Sequence, residues 1–426
     1  MSELVHLQNL EHFTLITTTR GGSDFLQSLL DGHPEICVFN LNFRFFSEYT
    51  PTSLVLKNKN MRAVDFIDEF IGKNIERFVS FYNYIERQDC LGPEREDSIK
   101  IKTSEFKNVF LRILEGADLT EANIFLAIYG AYHIALGRNI EGTKVIFHHA
   151  HNIAEAAEYK KYFPRARLII STRDPRTAYV SAIENARAAS NIEFDNYRNF
   201  YLGLCQTVIE DPIQNSFFKI GTQINIPQGP AENLTRLKEV DQQPLIVRLE
   251  DIPKREILMS LADFLGVEFS PTLEVSTWGG LEWWGDRFSI KKLSPRGWTP
   301  DRTYNGWREK LWNKDILIIE TCLHDLLRKR GYPAQNFNSF KVAVTFLLLW
   351  VPFKYEFKYL NPALIILRCK AGVRPTLHAL SAPYFYLRVR YLMLQFLGAQ
   401  LRGVWRRWPG AVLLASPSKK NQRSVV

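Results

Sequence analysis

The chain has 426 residues, enough for one large α/β domain with extensions or for two to three ordinary domains. With 46% hydrophobic and 23% charged residues, its composition is globular, which excludes wholesale disorder and a collagen-like architecture. Its five cysteines lie far apart without a CxxC pair, which excludes a disulfide framework and a zinc ribbon. The first twelve residues lack the apolar core of a signal peptide, so we expect a cytoplasmic location.

The net charge of +9 comes entirely from the end of the chain. Residues 341–426 hold fourteen Lys or Arg and one acid, Glu356, a net charge of +13. The first 340 residues hold 40 basic and 44 acidic residues, a net charge of −4. The basic balance therefore belongs to a C-terminal extension, and we expect no binding of nucleic acid by the body of the chain.

The first part of the chain begins with a predicted strand, a turn and a helix. Residues 13–18 (FTLITT) form a short apolar run without helical period, which predicts a buried strand. A glycine turn follows at residues 20–23, and apolar residues at helical spacing then predict a helix that ends near Gly32. Residues from about 60 to 138 are predicted to be mainly helical.

Strands and helices alternate further along the chain. Predicted strands lie at 144–147, 166–172 and 244–249, and predicted helices at 154–163, 175–189, 255–265 and 315–330. This order predicts an α/β fold with a parallel central sheet and flanking helices. We expect one domain over 1–340, with a mainly helical insertion over about 45–138, and a mostly helical, basic extension over 341–426.

The glycine turn after the first strand predicts an anion-binding loop. Two glycines permit close approach of the backbone, and the amides of a new helix attract negative charge. An arginine before them adds a planar cation suited to phosphate or sulfate, although an ordinary tight connection is the alternative. The residues predicted to bind the anion are Arg20, Gly21, Gly22, Ser23, Asp24 and Phe25.

A second candidate site follows the strand at 166–172. Arg173 stands at its carboxyl end, where open α/β sheets bind ligands, and Ser181 lies eight residues later in the next helix. Together the two side chains can hold one tetrahedral anion. The alternative is an arginine paired with Asp174 or another acid, and a serine that faces solvent.

Together, the two motifs resemble those of the PAPS-dependent sulfotransferase family, whose P-loop-like domain binds 3′-phosphoadenylyl sulfate (PAPS). Residues 20–24 (RGGSD) are similar to the 5′-phosphosulfate loop, usually [RK]-S-G-[ST]-[ST], and Arg173 and Ser181 keep the spacing of the 3′-phosphate motif. Supporting stretches are residues 30–34 (LDGHP), 247–252 (VRLEDI) and 305–311 (NGWREKL). The resemblance covers about residues 12–332 and leaves the extension unexplained.

This resemblance implies transfer of a sulfuryl group from PAPS to a hydroxyl or amine by in-line displacement, with no metal required. Arg20 would then stabilise charge on the bridging oxygen, and Arg302 is a candidate for a further 3′-phosphate contact. Two residues depart from the family pattern, because Gly21 replaces the usual serine and Asp24 replaces the second hydroxyl residue. A carboxylate there repels an anionic donor unless it turns away, towards Arg20 or the helix amides.

Candidates for the catalytic base lie in residues 144–152 (KVIFHHAHN). If the strand continues through them, His149 and His151 share one face and His148 takes the other. His151 is our first candidate, because the cytosolic branch of the family keeps its catalytic histidine near this position, and His149 is the second. Glu48 is the alternative, because Golgi-type branches use a glutamate. Metal binding by the histidines is a lesser interpretation, since no fourth ligand is obvious nearby.

Residues 278–307 predict a long functional loop, in which Trp278, Trp283 and Trp284 either stack on an acceptor ring or pack in the core. Lys144 is either a further cation for the donor or a residue that caps a strand.

The basic extension contains apolar, aromatic-rich runs at residues 342–353, 362–367 and 384–397. None reaches the roughly 18 to 20 residues that span a bilayer. They suit the membrane interface, at the inner face of the membrane, or else a helical subdomain packed on the body. The first alternative makes a glycolipid or polysaccharide acceptor an attractive hypothesis.

Two other functions compete with sulfuryl transfer. A P-loop kinase or nucleotide hydrolase is disfavoured, because the GxxxxGK[ST] pattern is absent and Asp24 stands where a magnesium-binding hydroxyl is expected. A catalytically inactive scaffold that binds PAP, the desulfated product, is compatible with the changes at Gly21 and Asp24.

Overall fold

The computed structural model describes residues 2–17, 21–40, 43, 45–48, 61–79, 90–151, 153–188, 240–241, 243–285, 305–370, 372–407 and 412–413. Within these residues, six parallel strands form one sheet in the order β2-β3-β1-β4-β5-β8. The strands are β1 (Glu11–Thr17), β2 (Ile36–Val38), β3 (Val145–His151), β4 (Arg167–Thr172), β5 (Leu245–Arg248) and β8 (Val412–Leu413); β6 (Thr277–Trp278) and β7 (Leu281–Glu282) form a separate hairpin.

Helices cover both faces of this sheet. Those of the first 340 residues are α1 (Glu3–Gln8), α2 (Ser23–Asp31), α3 (Phe45–Glu48), α4 (Ala63–Lys73), α5 (Ile75–Phe78), α6 (Thr103–Ile113), α7 (Glu121–Ala135), α8 (Ile153–Tyr162), α9 (Pro175–Ala188), α10 (Arg255–Leu265), α11 (Asn313–Cys322) and α12 (His324–Lys329). Those that follow are α13 (Ser339–Leu348), α14 (Phe357–Leu360), α15 (Pro362–Lys370), α16 (Val373–Leu380) and α17 (Ala382–Leu401).

The predicted α/β fold with a parallel central sheet and flanking helices is confirmed. Successive side chains of the central strands alternate between two apolar cores: Leu15 packs in one, and its neighbour Ile16 packs in the other. Strands covered on both faces are continuous apolar runs, which is why they were recognisable in the sequence.

Two predicted elements differ from the structure in kind, beyond shifts of their ends. The predicted helix at 315–330 is interrupted at Leu323, whose backbone (φ −116°) leaves the helical region and separates α11 from α12. The predicted long loop at 278–307 begins with the β6–β7 hairpin, and its residues 286–304 lie outside the described part of the chain.

Strand order places the loops of interest together. β1 lies at the centre, between β3 and β4, so the carboxyl ends of these three parallel strands meet at one edge. The chain leaves β1 towards β2 and β3 on one side, whereas β4 and β5 lie on the other. This reversal creates a crevice above β1 and β4, the usual ligand site of an open α/β sheet.

The C-terminal extension packs on the body in its described part. One face of α17 is buried in the second core, through Val389, Met393, Phe396 and Leu397. β8 adds an edge strand to β5. Whether residues 341–426 form a unit separate from residues 1–340, and whether 45–138 is an insertion, stays a prediction.

A buried ion pair holds α17 to the segment before α14. Glu356 accepts hydrogen bonds from Arg390 Nη1 (3.0 Å) and Nη2 (2.5 Å), and neither residue is more than 1% exposed. The Phe353 amide donates to the same carboxylate at 2.6 Å, and the guanidinium lies over the Tyr386 ring. Loss of one partner leaves the other charged and buried.

We therefore expect Glu356→Gln to lower the free energy of unfolding by about 3 kcal/mol or more. The double variant Glu356→Gln/Arg390→Met should recover much of that loss, because methionine fills similar space without a charge. Urea unfolding followed by circular dichroism measures both free energies. Arg402→Met is the matched control, because Arg402 is exposed and directly follows α17. A loss below about 1 kcal/mol in Glu356→Gln would contradict this role for the pair.

Candidate functional site

The loop between β1 and α2 is anchored to the neighbouring strand. Ser171 Oγ, near the end of β4, donates a hydrogen bond to the Gly21 carbonyl at 2.6 Å. Gly22 caps α2 with a left-handed backbone (φ +84°), and its carbonyl accepts the Leu26 amide at 2.9 Å. The helix N-terminus therefore opens at the carboxyl edge of the sheet, as an anion site requires. Arg20 lies outside the described residues.

Only glycine fits at position 22. A Cβ atom there would lie 2.4 Å from Leu249 Cδ1, and the positive φ disfavours any side chain. Leu249 follows β5 and is itself held in place, because its amide donates to the Thr172 carbonyl at 2.8 Å. The loop is thus packed against the ends of both β4 and β5.

His149 lies beneath the first turn of α2. Its Nδ1 atom is 2.9 Å from Gln27 Oε1 and 3.8 Å from Asp24 Oδ1. His149 and Gln27 are fully buried, whereas the Asp24 side chain is 32% exposed. The Asp24 carboxylate is therefore close enough to stabilise a protonated imidazole at position 149.

Gln27 fixes the tautomer of His149. Gln27 Nε2 donates to the Phe39 carbonyl at 2.7 Å, and a carbonyl can only accept. The amide oxygen must then face the imidazole, and since this oxygen also only accepts, Nδ1 of the neutral ring carries the hydrogen. The lone pair of His149 is consequently on Nε2.

The other candidate bases have different positions. His148 points to the opposite face, where its Nδ1 pairs with the Tyr129 hydroxyl at 2.9 Å and its ring stacks on Tyr159. The side chains of His151 and Glu48 lie outside the described part of the chain, although their backbones end β3 and α3. The pairing of β1 with β3 is irregular between His149 and His151, and the shared face of these two residues stays a prediction.

Arg173 is the first residue after β4, and Ser181 lies on α9; both are nearly buried, at 8% and 9% exposure. Arg176 Nε and Nη2 bind the Asp174 carboxylate at 2.9 and 2.6 Å. Arg302 lies outside the described residues.

Glu250, from the stretch at 247–252, supports the segment that carries Arg173. Its Oε1 accepts the Asp174 amide at 2.9 Å, and its Oε2 accepts the Tyr332 hydroxyl at 3.0 Å. Burial raises the pKa of Glu250, while the Asp174 amide bond and the charge of Arg173 act in the opposite direction. The Arg330 guanidinium adds a hydrogen bond to Thr172 Oγ1 at 2.5 Å.

The sequence interpretation missed Gln27 and assigned no role to Glu250 or Arg176. A signal for Gln27 was present, since it follows Asp24 by three residues and therefore neighbours it on the helix surface. Glu250 lies in the stretch 247–252, but the sequence at the end of one strand does not show which loop its side chain contacts.

The tryptophan and lysine candidates have structural contacts. Trp278 and Trp283 are buried and meet edge to face at 5.7 Å between ring centroids. Trp284 Nε1 donates to the Gly92 carbonyl at 2.7 Å, and the Arg95 guanidinium lies over its ring. Lys144 pairs with Glu35 at 2.5 Å at the amino end of β3, on the opposite edge of the sheet from the site.

A cavity of about 430 Å³ opens beside the buried Arg176. It is lined by Arg176, Trp307, Arg308, Asn313, Ile316, Glu320, Pro333, Ala334 and Gln335. Arg176 also pairs with Glu320, so its charge is already balanced by two carboxylates. We therefore do not assign this cavity to an anionic donor.

No group of three or more His, Cys, Asp or Glu side chains in the described ranges could hold a metal ion. Nor does any helix in that part of the chain combine the length and the apolar character needed to cross a bilayer.

No protein-family model matches the sequence, and no curated protein matches it either. Among solved structures, the sulfotransferase domain of the Synechococcus PCC 7002 olefin synthase is similar at 14% identity and a TM-score of 0.37, over 72% of this chain and 90% of that one. The sulfotransferase domain from the curacin biosynthetic pathway is similar at 13% identity and a TM-score of 0.39, over 77% and 100%. Both are sulfotransferase domains, the family that the two motifs resemble.

Buried histidines make the stability sensitive to acid. Burial lowers the pKa of His12 to about 4 and that of His148 to about 3, so both rings are neutral at pH 7. A histidine in the unfolded chain titrates near pH 6.5. Between about pH 6.5 and pH 4, the unfolded chain therefore binds protons at these two rings, whereas the folded chain does not. Stability is therefore present at neutral pH and is lost as the pH falls through that window.

We expect each of the two histidines to lower the free energy of unfolding by up to about 1.4 kcal/mol per pH unit below pH 6. Urea unfolding at a series of pH values measures the slope. His148→Phe should reduce it by the contribution of one proton, whatever its effect on stability at pH 7. An equal slope in the variant and the parent would refute this account.

Proposed function

We propose that the chain is a PAPS-dependent sulfotransferase, which moves a sulfuryl group from PAPS to a hydroxyl or amine of a carbohydrate or lipid-linked acceptor. The observation that carries the proposal is the joint position of two anion-binding elements at one edge of the sheet. The α2 N-terminus follows β1, Arg173 follows the adjacent β4, and Ser171 ties the two together through Gly21.

Each end of the donor has suitable partners. The α2 N-terminus and Arg20 suit the 5′-phosphosulfate, since a helix N-terminus and a guanidinium both favour tetrahedral anions. Arg173 and Ser181 suit the 3′-phosphate, with Arg302 as a further contact. The support from Glu250 and Arg330 keeps the Arg173 segment rigid, which lowers the entropy cost of binding.

The chemistry requires a base and a means to stabilise charge. The acceptor oxygen or nitrogen forms a bond to sulfur as the bond from sulfur to the bridging oxygen breaks, and PAP leaves with that electron pair. We propose that His149 Nε2 takes the acceptor proton and that Asp24 stabilises the resulting imidazolium. His151 and Glu48 remain alternative bases.

A second candidate function is a protein that binds PAP without transfer. The complete burial of His149 favours it, because a base must reach the acceptor. This candidate predicts PAP binding and no sulfuryl transfer to any acceptor.

Donor binding can be tested directly with PAP by calorimetry. We expect Arg173→Ala to weaken PAP binding roughly 30- to 100-fold, because a charge-assisted contact to phosphate is lost. Arg112→Ala, at an exposed arginine of α6 far along the chain from the loop, is the matched control. Absence of micromolar PAP binding by the parent protein would refute both candidate functions.

Transfer can be tested with labelled PAPS and extracts of cell lipids and polysaccharides. His149→Asn should lower kcat roughly a hundredfold while PAP binding stays within about threefold, since the base acts only in the chemical step. Asp24→Asn should lower kcat less and tighten PAP binding, because it removes a negative charge beside the donor.

The outcomes separate the alternatives. Full activity of His149→Asn would move the base to His151 or Glu48 without affecting the donor site. PAP binding without transfer to any extract would favour the binding protein.

A further inference from the structure

The helices α16 and α17 carry an apolar face that the fold leaves exposed. Its residues recur at alternating steps of four and three, the spacing of one helix face. Ser381, between the two helices, keeps a backbone close to helical (φ −78°, ψ −9°), so this face continues from one helix to the next. We call it the exposed stripe; it consists of Val373, Leu377, Leu380, Tyr384, Leu387 and Tyr391, which are 42 to 78% exposed.

The stripe is not needed for packing. α17 already buries another face, with Val389, Met393 and Phe396, in the second core. A helix on a protein surface normally carries polar residues opposite its buried face, whereas this one is apolar on two sides. α15 packs against α16 and adds Ile366 and Leu367, which are 58% and 63% exposed. Contiguous apolar surface of this kind marks an interaction site.

The charges around the stripe are positive. Glu356, the one acid among residues 341–426, is fully buried against Arg390 and contributes nothing to the surface. Lys370, at the end of α15, is exposed, and Arg388 lies over the Tyr384 ring at 5.7 Å. A partner must therefore offer apolar contact and negative charge together.

We propose that α15–α17 lie on the surface of an anionic lipid bilayer. The apolar side chains of the stripe would enter the acyl boundary, the tyrosines would sit at headgroup depth, and the cations would meet anionic headgroups. A second copy of this chain fits less well, because a two-fold interface would place this cationic surface against itself without a carboxylate from this region. This proposal is independent of the transferase activity.

Vesicle sedimentation with the full-length protein tests it, without donor or acceptor. We expect binding to vesicles of equimolar phosphatidylcholine and phosphatidylglycerol, weaker binding to phosphatidylcholine alone, and loss of the difference at high salt. Leu380→Glu/Leu387→Glu should reduce binding to the anionic vesicles roughly tenfold or more, since two apolar side chains are lost from the contact.

The matched control is Val5→Glu/Met259→Glu, which places the same charges at two exposed apolar residues of α1 and α10, outside residues 341–426. It should bind vesicles as the parent does, and circular dichroism checks that all variants fold. Equal binding by the stripe variant and the control would overturn the proposal. The proposal would also be overturned if the parent protein does not bind vesicles and instead forms a dimer, detected by light scattering, that Leu380→Glu/Leu387→Glu disrupts.

Discussion

The close approach of the β1–α2 loop to the ends of β4 and β5 is the constraint on which the site depends. Leu249 occupies the space that a side chain at position 22 would need, and Ser171 holds the carbonyl of Gly21. A helix N-terminus has little value as an anion site if its direction varies. Here its direction is set by two strands of the sheet, and one of them also positions Arg173. In the proposed function, a single frame would therefore position both ends of an elongated anion.

Much of this frame was predictable from the sequence. Strands that are buried on both faces are continuous apolar runs, and the short connections between them carry glycine or Arg-Asp-Pro signals that are strong even in isolation. The candidate anion-binding residues were proposed for the same reason, because they lie next to those strand ends. What the sequence could not indicate is which strand lies beside which, and therefore that Ser171 contacts Gly21 or that Glu250 supports Asp174.

The histidines show what one segment of sequence leaves out. The prediction assumed strict alternation along HHAH, whereas β3 pairs irregularly with β1 between His149 and His151. A bulge is a property of two paired strands, and the sequence of one strand alone does not predict it. The partners of His149 come from α2, more than a hundred residues earlier, so their contribution became visible only in three dimensions.

Asp24 links the unusual loop sequence to that histidine. The similar loop of PAPS-dependent sulfotransferases has a hydroxyl residue at this position. In isolation, a carboxylate there is a disadvantage, since it adds negative charge at the proposed anion site. Its position 3.8 Å from His149 Nδ1 changes the balance, because the same charge favours the protonated imidazole that forms when a base accepts a proton. In the proposed mechanism, the cost of Asp24 therefore falls on donor binding and its benefit on the chemical step.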